Sequence, residues 1–232
     1  MKLLVVSDIH ANWPALQAIQ EPADAIVCLG DVVSYGPFPQ ECVAWVRERA
    51  AYVIRGNHDT ALSYQTDPRV APAKQALALA TLEAHRRLLS EADVRWLHDL
   101  GTAAHFHFDG CRYTIVHAAP SDHLFNYRIT PALGEEALKK EMAGVRADLV
   151  LLGHTHLPMQ RAVNGTVVLN PGSVGQSLDG DPRASYAIIQ DGVATIRRVE
   201  YDIEATTAGI RRMGVPDEMA DVLIGILKTG RP

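Results

Sequence analysis

Short apolar runs separated by polar clusters set the rhythm of this chain. Leu3–Val6, Ala25–Leu29, Tyr52–Ile54, Tyr113–Val116 and Leu149–Leu152 are continuous rather than alternating, and several are rich in β-branched residues. Such runs predict strands buried on both faces. Trp13–Gln20 and Pro39–Ala50 lie between the first three and carry apolar residues at helical spacing. That alternation predicts βαβ units and a sheet covered by helices. Pro72–Leu88 and Glu91–Leu100 read as a helical pair within an insertion at about 60–105, ahead of the fourth of these strands. Asp109-Gly110, Asn164-Gly165 and Asp191-Gly192 each separate two strand-like runs. Those pairs predict tight hairpins, and hence a second sheet packed on the first. The tail at about 203–228 reads as two short helices broken near Gly214 and Pro216. No repeat, low-complexity tract or linker interrupts residues 1–232, which predicts a single α/β domain.

Composition narrows the function classes. A formal net charge of -5, with both signs mixed along the chain, gives no basic footprint for nucleic acid and no polybasic patch for a membrane. Cys28, Cys42 and Cys111 are far apart, which speaks against a disulfide framework and suits a reducing compartment. Cys28 sits inside an apolar run and is expected in the core. No stretch approaches transmembrane length, and Leu3–Val6 is too short for a signal segment. The expectation is a cytoplasmic protein; its oligomeric state is left open.

The polar clusters carry the chemistry. Each main run ends in one: Ser7-Asp8-Ile9-His10, Gly30-Asp31, Arg55-Gly56-Asn57-His58-Asp59, His117, and Gly153-His154-Thr155-His156. In open α/β sheets, ligands bind beyond the carboxyl ends of the strands, so five strands would aim Asp, His and Asn at one edge. In extended chain, residues at i and i+2 face the same way, so Asp8 and His10 would grip one ion together, and His154 and His156 share that spacing. Gly30, Gly56 and Gly153 would permit sharp exits and close backbone approach. The donors mix carboxylate, imidazole and amide, with no thiolate. That mixture suits manganese first, or iron, zinc, cobalt or nickel, over magnesium or calcium. Seven candidate ligands (Asp8, His10, Asp31, Asn57, His117, His154 and His156) exceed what one tetrahedral zinc needs. Two divalent ions sharing a carboxylate would use them all, with Asp31 the best bridge.

In order and spacing these clusters resemble the calcineurin-like metallophosphoesterase superfamily, whose signature runs D-x-H, G-D, G-N-H-D or G-N-H-E, a lone H, and G-H-x-H. The match spans roughly residues 5–156. Gly36-Pro37, the stretch Tyr35–Cys42 and Asn170–Gly175 are similar to its small bacterial and archaeal phosphodiesterase-like branch. Ala11 stands where many relatives carry glycine. The resemblance implies a four-layer α/β/β/α sandwich. It assigns Asp8, His10, Asp31 and His156 to one metal and Asp31, Asn57, His117 and His154 to the other. His58 would face the substrate phosphate and leaving oxygen, with Asp59 orienting it. The expected activity is hydrolysis of small or nucleotide-derived phosphate esters by a hydroxide bridging two ions.

Isolated clusters of this kind are weak signals: a lone Asp-x-His is usually surface chemistry, and Gly-Asp after a strand is usually a turn. Their conjunction in order carries the reading. Asn12, His123 and Arg128 are candidate substrate contacts. His85, His98, His105 and His107 are expected to be structural or solvated. Ser7 and Ser173 lack the paired base of a nucleophile. Competing activities are a dinucleoside polyphosphate hydrolase, a serine/threonine protein phosphatase and a nuclease. A competing class is a non-catalytic interaction scaffold, as in the retromer subunit similar to this family. Such scaffolds tend to lose ligands or the active-site histidine, all of which are present here.

Overall fold

The computed structural model describes residues 1–232. Its first sheet has the order β10-β9-β1-β2-β3, built from β1 (Lys2–Val6), β2 (Ala25–Cys28), β3 (Tyr52–Val53), β9 (Ala184–Gln190) and β10 (Val193–Val199). The second has the order β4-β5-β6-β8-β7, built from β4 (Ala103–Phe108), β5 (Cys111–Val116), β6 (Leu149–Leu151), β7 (Met159–Val163) and β8 (Thr166–Asn170). Both sheets are mixed: β1, β2 and β3 run parallel, as do β5, β6 and β8, while the hairpins are antiparallel. The three expected tips are tight turns with left-handed backbone on both residues.

The apolar runs are continuous because each strand feeds two cores. Leu3, Val5, Val27 and Leu29 meet Tyr113, Ile115, Leu149, Leu151 and Leu169 between the sheets. Leu4, Val6, Ile26 and Cys28 face the other way, into a layer made by α1 (Trp13–Ala18), α2 (Pro39–Arg49), α3 (Asn57–Tyr64), α4 (Pro72–Leu88) and α5 (Glu91–Asp99). Val116, Val150 and Val168 turn outward from the second sheet onto α6 (Glu135–Glu141). The result is the expected four-layer α/β/β/α sandwich in one domain. The α7 (Ile203–Arg212) and α8 (Asp217–Thr229) helices pack with Tyr35 and the start of α4 in a fourth apolar cluster. No helix is long and apolar enough to cross a membrane.

The insertion at about 60–105 is therefore not helical throughout. It holds the end of α3, all of α4 and α5, and then the first residues of β4, an edge strand that carries His105 and His107. Two helices went unpredicted. Asn57-His58-Asp59 shows no apolar periodicity yet opens α3, and the polar sequence of α6 buries only Leu138. His85 is fully buried on α4. Its Nδ1 accepts from the Ser34 backbone N–H at 3.0 Å and its Nε2 donates to the Gly36 carbonyl at 2.7 Å. It is a structural histidine that ties α4 to the loop after β2.

Candidate metal centre

The carboxyl ends of β1, β2, β5 and β6, with the N-terminus of α3, converge on one buried pocket. Asp8, His10 and His156 form one group of potential ligands and Asp31, His117 and His154 a second, each with donor atoms within 4.8 Å of one another. In the first group, His10 Nε2 lies 3.0 Å from His156 Nε2, which is 3.4 Å from Asp8 Oδ1. In the second, His117 Nε2 lies 3.1 Å from Asn57 Oδ1, and His154 Nδ1 lies 3.0 Å from that same oxygen. Asn57 donates its Nδ2 to the Pro68 carbonyl at 2.8 Å, which turns Oδ1 toward the histidines.

Asp31 joins the groups. Its Oδ1 accepts the His58 backbone N–H at 2.9 Å, at the start of α3. That bond leaves Oδ2 facing both groups, 3.3 Å from His117 Nε2 and 3.8 Å from His10 Nε2.

Backbone carbonyls set the imidazoles. His10 Nδ1 faces Val33 O at 3.0 Å, His117 Nδ1 faces Leu29 O at 2.8 Å, and His156 Nδ1 faces Gln176 O at 2.6 Å. A carbonyl only accepts, so each Nδ1 carries a proton, and the Nε2 atoms of His10 and His156 present lone pairs inward. Two lone pairs 3.0 Å apart, on His10 and His156, repel unless a cation lies between them. His154 Nε2 and His58 Nδ1 are buried without any partner. The donor set therefore fits metal ions.

Burial opposes ionisation of Asp8, yet the His156 imidazole holds it down to about 2; His117 likewise keeps Asp31 well below the usual carboxylate range. Burial and the neighbouring His156 lower His10 to about 3, and burial lowers His58 to about 4, so both rings are neutral near pH 7. His117 differs: burial is outweighed by the Asp31 charge and hydrogen bond, which raise it to about 9. A cation held there would displace that proton.

The route to convergence is not the one the i, i+2 spacing implies. Asp8, His10, Asp31, His154 and His156 all have positive φ, between 46° and 68°. The pairs Asp8/His10 and His154/His156 therefore do not lie on extended chain. Close packing holds them. A Cβ on Gly153 would collide with Ser7 Oγ and fall 2.6 Å from Asp8 Oδ2; one on Gly56 would collide with Asp31 Oδ1. Ser7 is no nucleophile: its Oγ donates to Asp8 Oδ2 at 2.6 Å and fixes that carboxylate.

Four residues expected at the site make other contacts in the structure or stand apart from the donors. Asp59 does not orient His58. Its Oδ1 accepts from Val32 N at 2.9 Å and Val33 N at 3.2 Å, and its Oδ2 from Gly56 N at 3.0 Å. These bonds consume the carboxylate, so it braces the loop after Asp31 and caps α3; burial and the Asp31 charge push its pKa up to about 7. The His58 ring is instead wedged between Tyr35 and His10, at centroid distances of 4.9 and 5.1 Å. Asn12 is fully buried. Its Oδ1 caps α1 at Ala15 N and accepts from Thr206 Oγ1, while Nδ2 donates to Gly175 O. His123 bonds Thr102 Oγ1 and lines a separate cavity of about 480 Å³ beside β4, away from these donors. Arg128 is exposed and lies outside the walls of the metal cleft, which take its neighbour Tyr127.

That cleft, about 200 Å³, opens onto Asp31, His58, His154 and His156 and is walled by Tyr35, Lys74, Tyr127 and Gln176. Lys74, Tyr127 and Gln176 carry no motif, so only the fold reveals them.

Known proteins match this chain along most of its length. Residues 1–191 match the model of the calcineurin-like phosphoesterase superfamily domain. The chain is 28% identical over 243 residues to the uncharacterized protein MJ0912 of Methanocaldococcus jannaschii, covering 95% of this chain and 96% of that one. It is 28% identical to the phosphodiesterase YfcE of Escherichia coli, over 84% of this chain and 91% of that one. A crystal structure of a metallophosphoesterase from Sphaerobacter thermophilus superposes with a TM-score of 0.80 at 31% identity, covering 99% of this chain and 100% of that one. The chain belongs to the calcineurin-like phosphoesterase superfamily and is a metal-dependent phosphoester hydrolase.

Proposed function

We propose that this protein is a two-metal phosphodiesterase acting on small or nucleotide-derived phosphate esters. The observation that carries the reading is Asp31 Oδ2, a single buried carboxylate oxygen facing both donor groups. Asp8, His10, Asp31 and His156 would hold one ion, and Asp31, Asn57, His117 and His154 the other. Manganese heads the candidates because the donors mix oxygen and imidazole nitrogen. When bound, such ions supply an acidified water as nucleophile and offset charge on the phosphoryl oxygens.

The chain's own residues do the rest. The rings of His10, His117 and His156 are held in place by backbone carbonyls, and His117 would release its Nε2 proton to an arriving cation. His58 stands in the cleft wall as a neutral imidazole, within reach of an ester oxygen. An arriving phosphate anion favours its protonated form, from which it would donate a proton to the leaving oxygen. The diester preference is supported by similarity to YfcE, a protein named as a phosphodiesterase. Three unpaired cysteines suit the cytoplasm. The presence of His58 and all seven donors favours an enzyme over a scaffold.

The test is His58→Ala in manganese-loaded protein. Metal content should stay at the wild-type level while turnover falls by about 10²–10⁴-fold, most for poor leaving groups. Equal rates on an alkyl ester in variant and wild type would remove His58 from the reaction.

A further inference from the structure

Lys74, in the first turn of α4, is half-buried in the cleft wall next to Val70 and Ala71. It is the single lysine or arginine among the lining residues. Burial alone lowers its pKa, and no carboxylate acts on it. By contrast, Lys2, Lys139 and Lys228 each pair with a glutamate. A partly desolvated ammonium without a counter-ion is costly, and the cleft offers room for an anion to provide one. Tyr127 contributes a second, independent feature. Its ring packs on the His154 imidazole at a centroid distance of 3.7 Å and a tilt of 35°, yet remains 43% exposed. A planar group entering the cleft therefore meets an aromatic surface already held in place.

We propose that Lys74 and Tyr127 form a specificity subsite selecting phosphate esters that carry a second phosphoryl group and a planar ring, the chemistry of a nucleoside polyphosphate. The inference rests on the reading of this cleft as a hydrolytic site. Lys74 pairs with the phosphoryl group not held by the metal donors, and Tyr127 stacks on the ring. Charge-assisted hydrogen bonds of the Lys74 kind are worth roughly 10–100-fold in affinity, and a stacked ring contributes about as much.

The experiment uses the full chain loaded with manganese in excess, with AMP, ADP and inorganic phosphate as competitive inhibitors of bis(p-nitrophenyl) phosphate hydrolysis. Wild type should bind ADP at least about tenfold more tightly than AMP. Lys74→Gln should erase most of that ratio, and Lys74→Arg should restore part of it. Tyr127→Leu should weaken AMP and ADP together, relative to inorganic phosphate. Equal affinity of wild type for AMP and ADP, or a Lys74→Gln loss equal for all three inhibitors, would overturn the proposal. Should wild type hydrolyse none of the esters, the hydrolytic reading fails on its own. Calorimetric titration of AMP and ADP into the same proteins still decides the subsite by the same ratios.

Discussion

At three hairpin tips the left-handed backbone falls on Asp109-Gly110, Asn164-Gly165 and Asp191-Gly192; at the metal centre it falls on Asp8, His10, Asp31, His154 and His156. Each tip shares the conformation with a glycine, which enters this region at little cost, and a Cβ on Gly165 would meet nothing within 4 Å. Their conformation is set locally. At the centre the chain places candidate metal-ligating side chains in a conformation that no neighbouring residue type requires, and distant backbone holds them there. Asp8 N donates to Gly30 O, His10 N to Asp31 O, and Gly175 N to Asp8 O, at 2.9–3.0 Å. Strain of this kind persists where surrounding structure over-determines it. One loop type depends on its own residues, the other on the whole sandwich.

Substitutions can break that contrast. The largest effect is expected for Gly153→Ala, whose Cβ would displace both Ser7 and the Asp8 carboxylate. Metal affinity should fall by about 10–100-fold, measured by titration with manganese. Unchanged affinity would show that the ligand turn tolerates slack. A middle-sized effect is expected at His85, the structural link between α4 and the loop after Asp31. Burial lowers its pKa from 6.5 to about 4, so the unfolded chain takes up a proton first as pH falls. His85 thus contributes stability that is full above pH 6.5 and lost progressively toward pH 4. His85→Gln can keep both backbone hydrogen bonds without titrating. It should flatten the fall in unfolding free energy between pH 6.5 and 4; parallel curves for the two proteins would exclude this contribution. The smallest effect belongs to a tip. Gly165→Ala, at φ 81°, should cost about 1 kcal/mol in chemical denaturation and leave metal affinity alone.

What could be read from sequence follows the same division. Strands such as β1 and β2 were legible because burial on both faces writes a continuous apolar run. The tips were legible from their Asx-Gly pairs. The donor residues were legible because each stands where an apolar run ends. What stayed hidden depends on contacts across the sequence. The pattern of Asn57-His58-Asp59 does not show that it starts a helix, or that Asp59 turns back to Gly56 N and out to Val32 and Val33. Asn12 lies beside a ligand turn and invites a substrate role, but Thr206 on α7 and Gly175 take its amide. Lys74 and Tyr127 sit 53 positions apart, and only packing puts both in one cleft.

The central claim is that one carboxylate oxygen of Asp31 serves two ions at once. Metal analysis of manganese-reconstituted wild type and Asp31→Asn tests it most directly. The account predicts two equivalents per chain in wild type and depletion of both in the variant. Two full equivalents retained by Asp31→Asn, or a single equivalent in wild type, would contradict it.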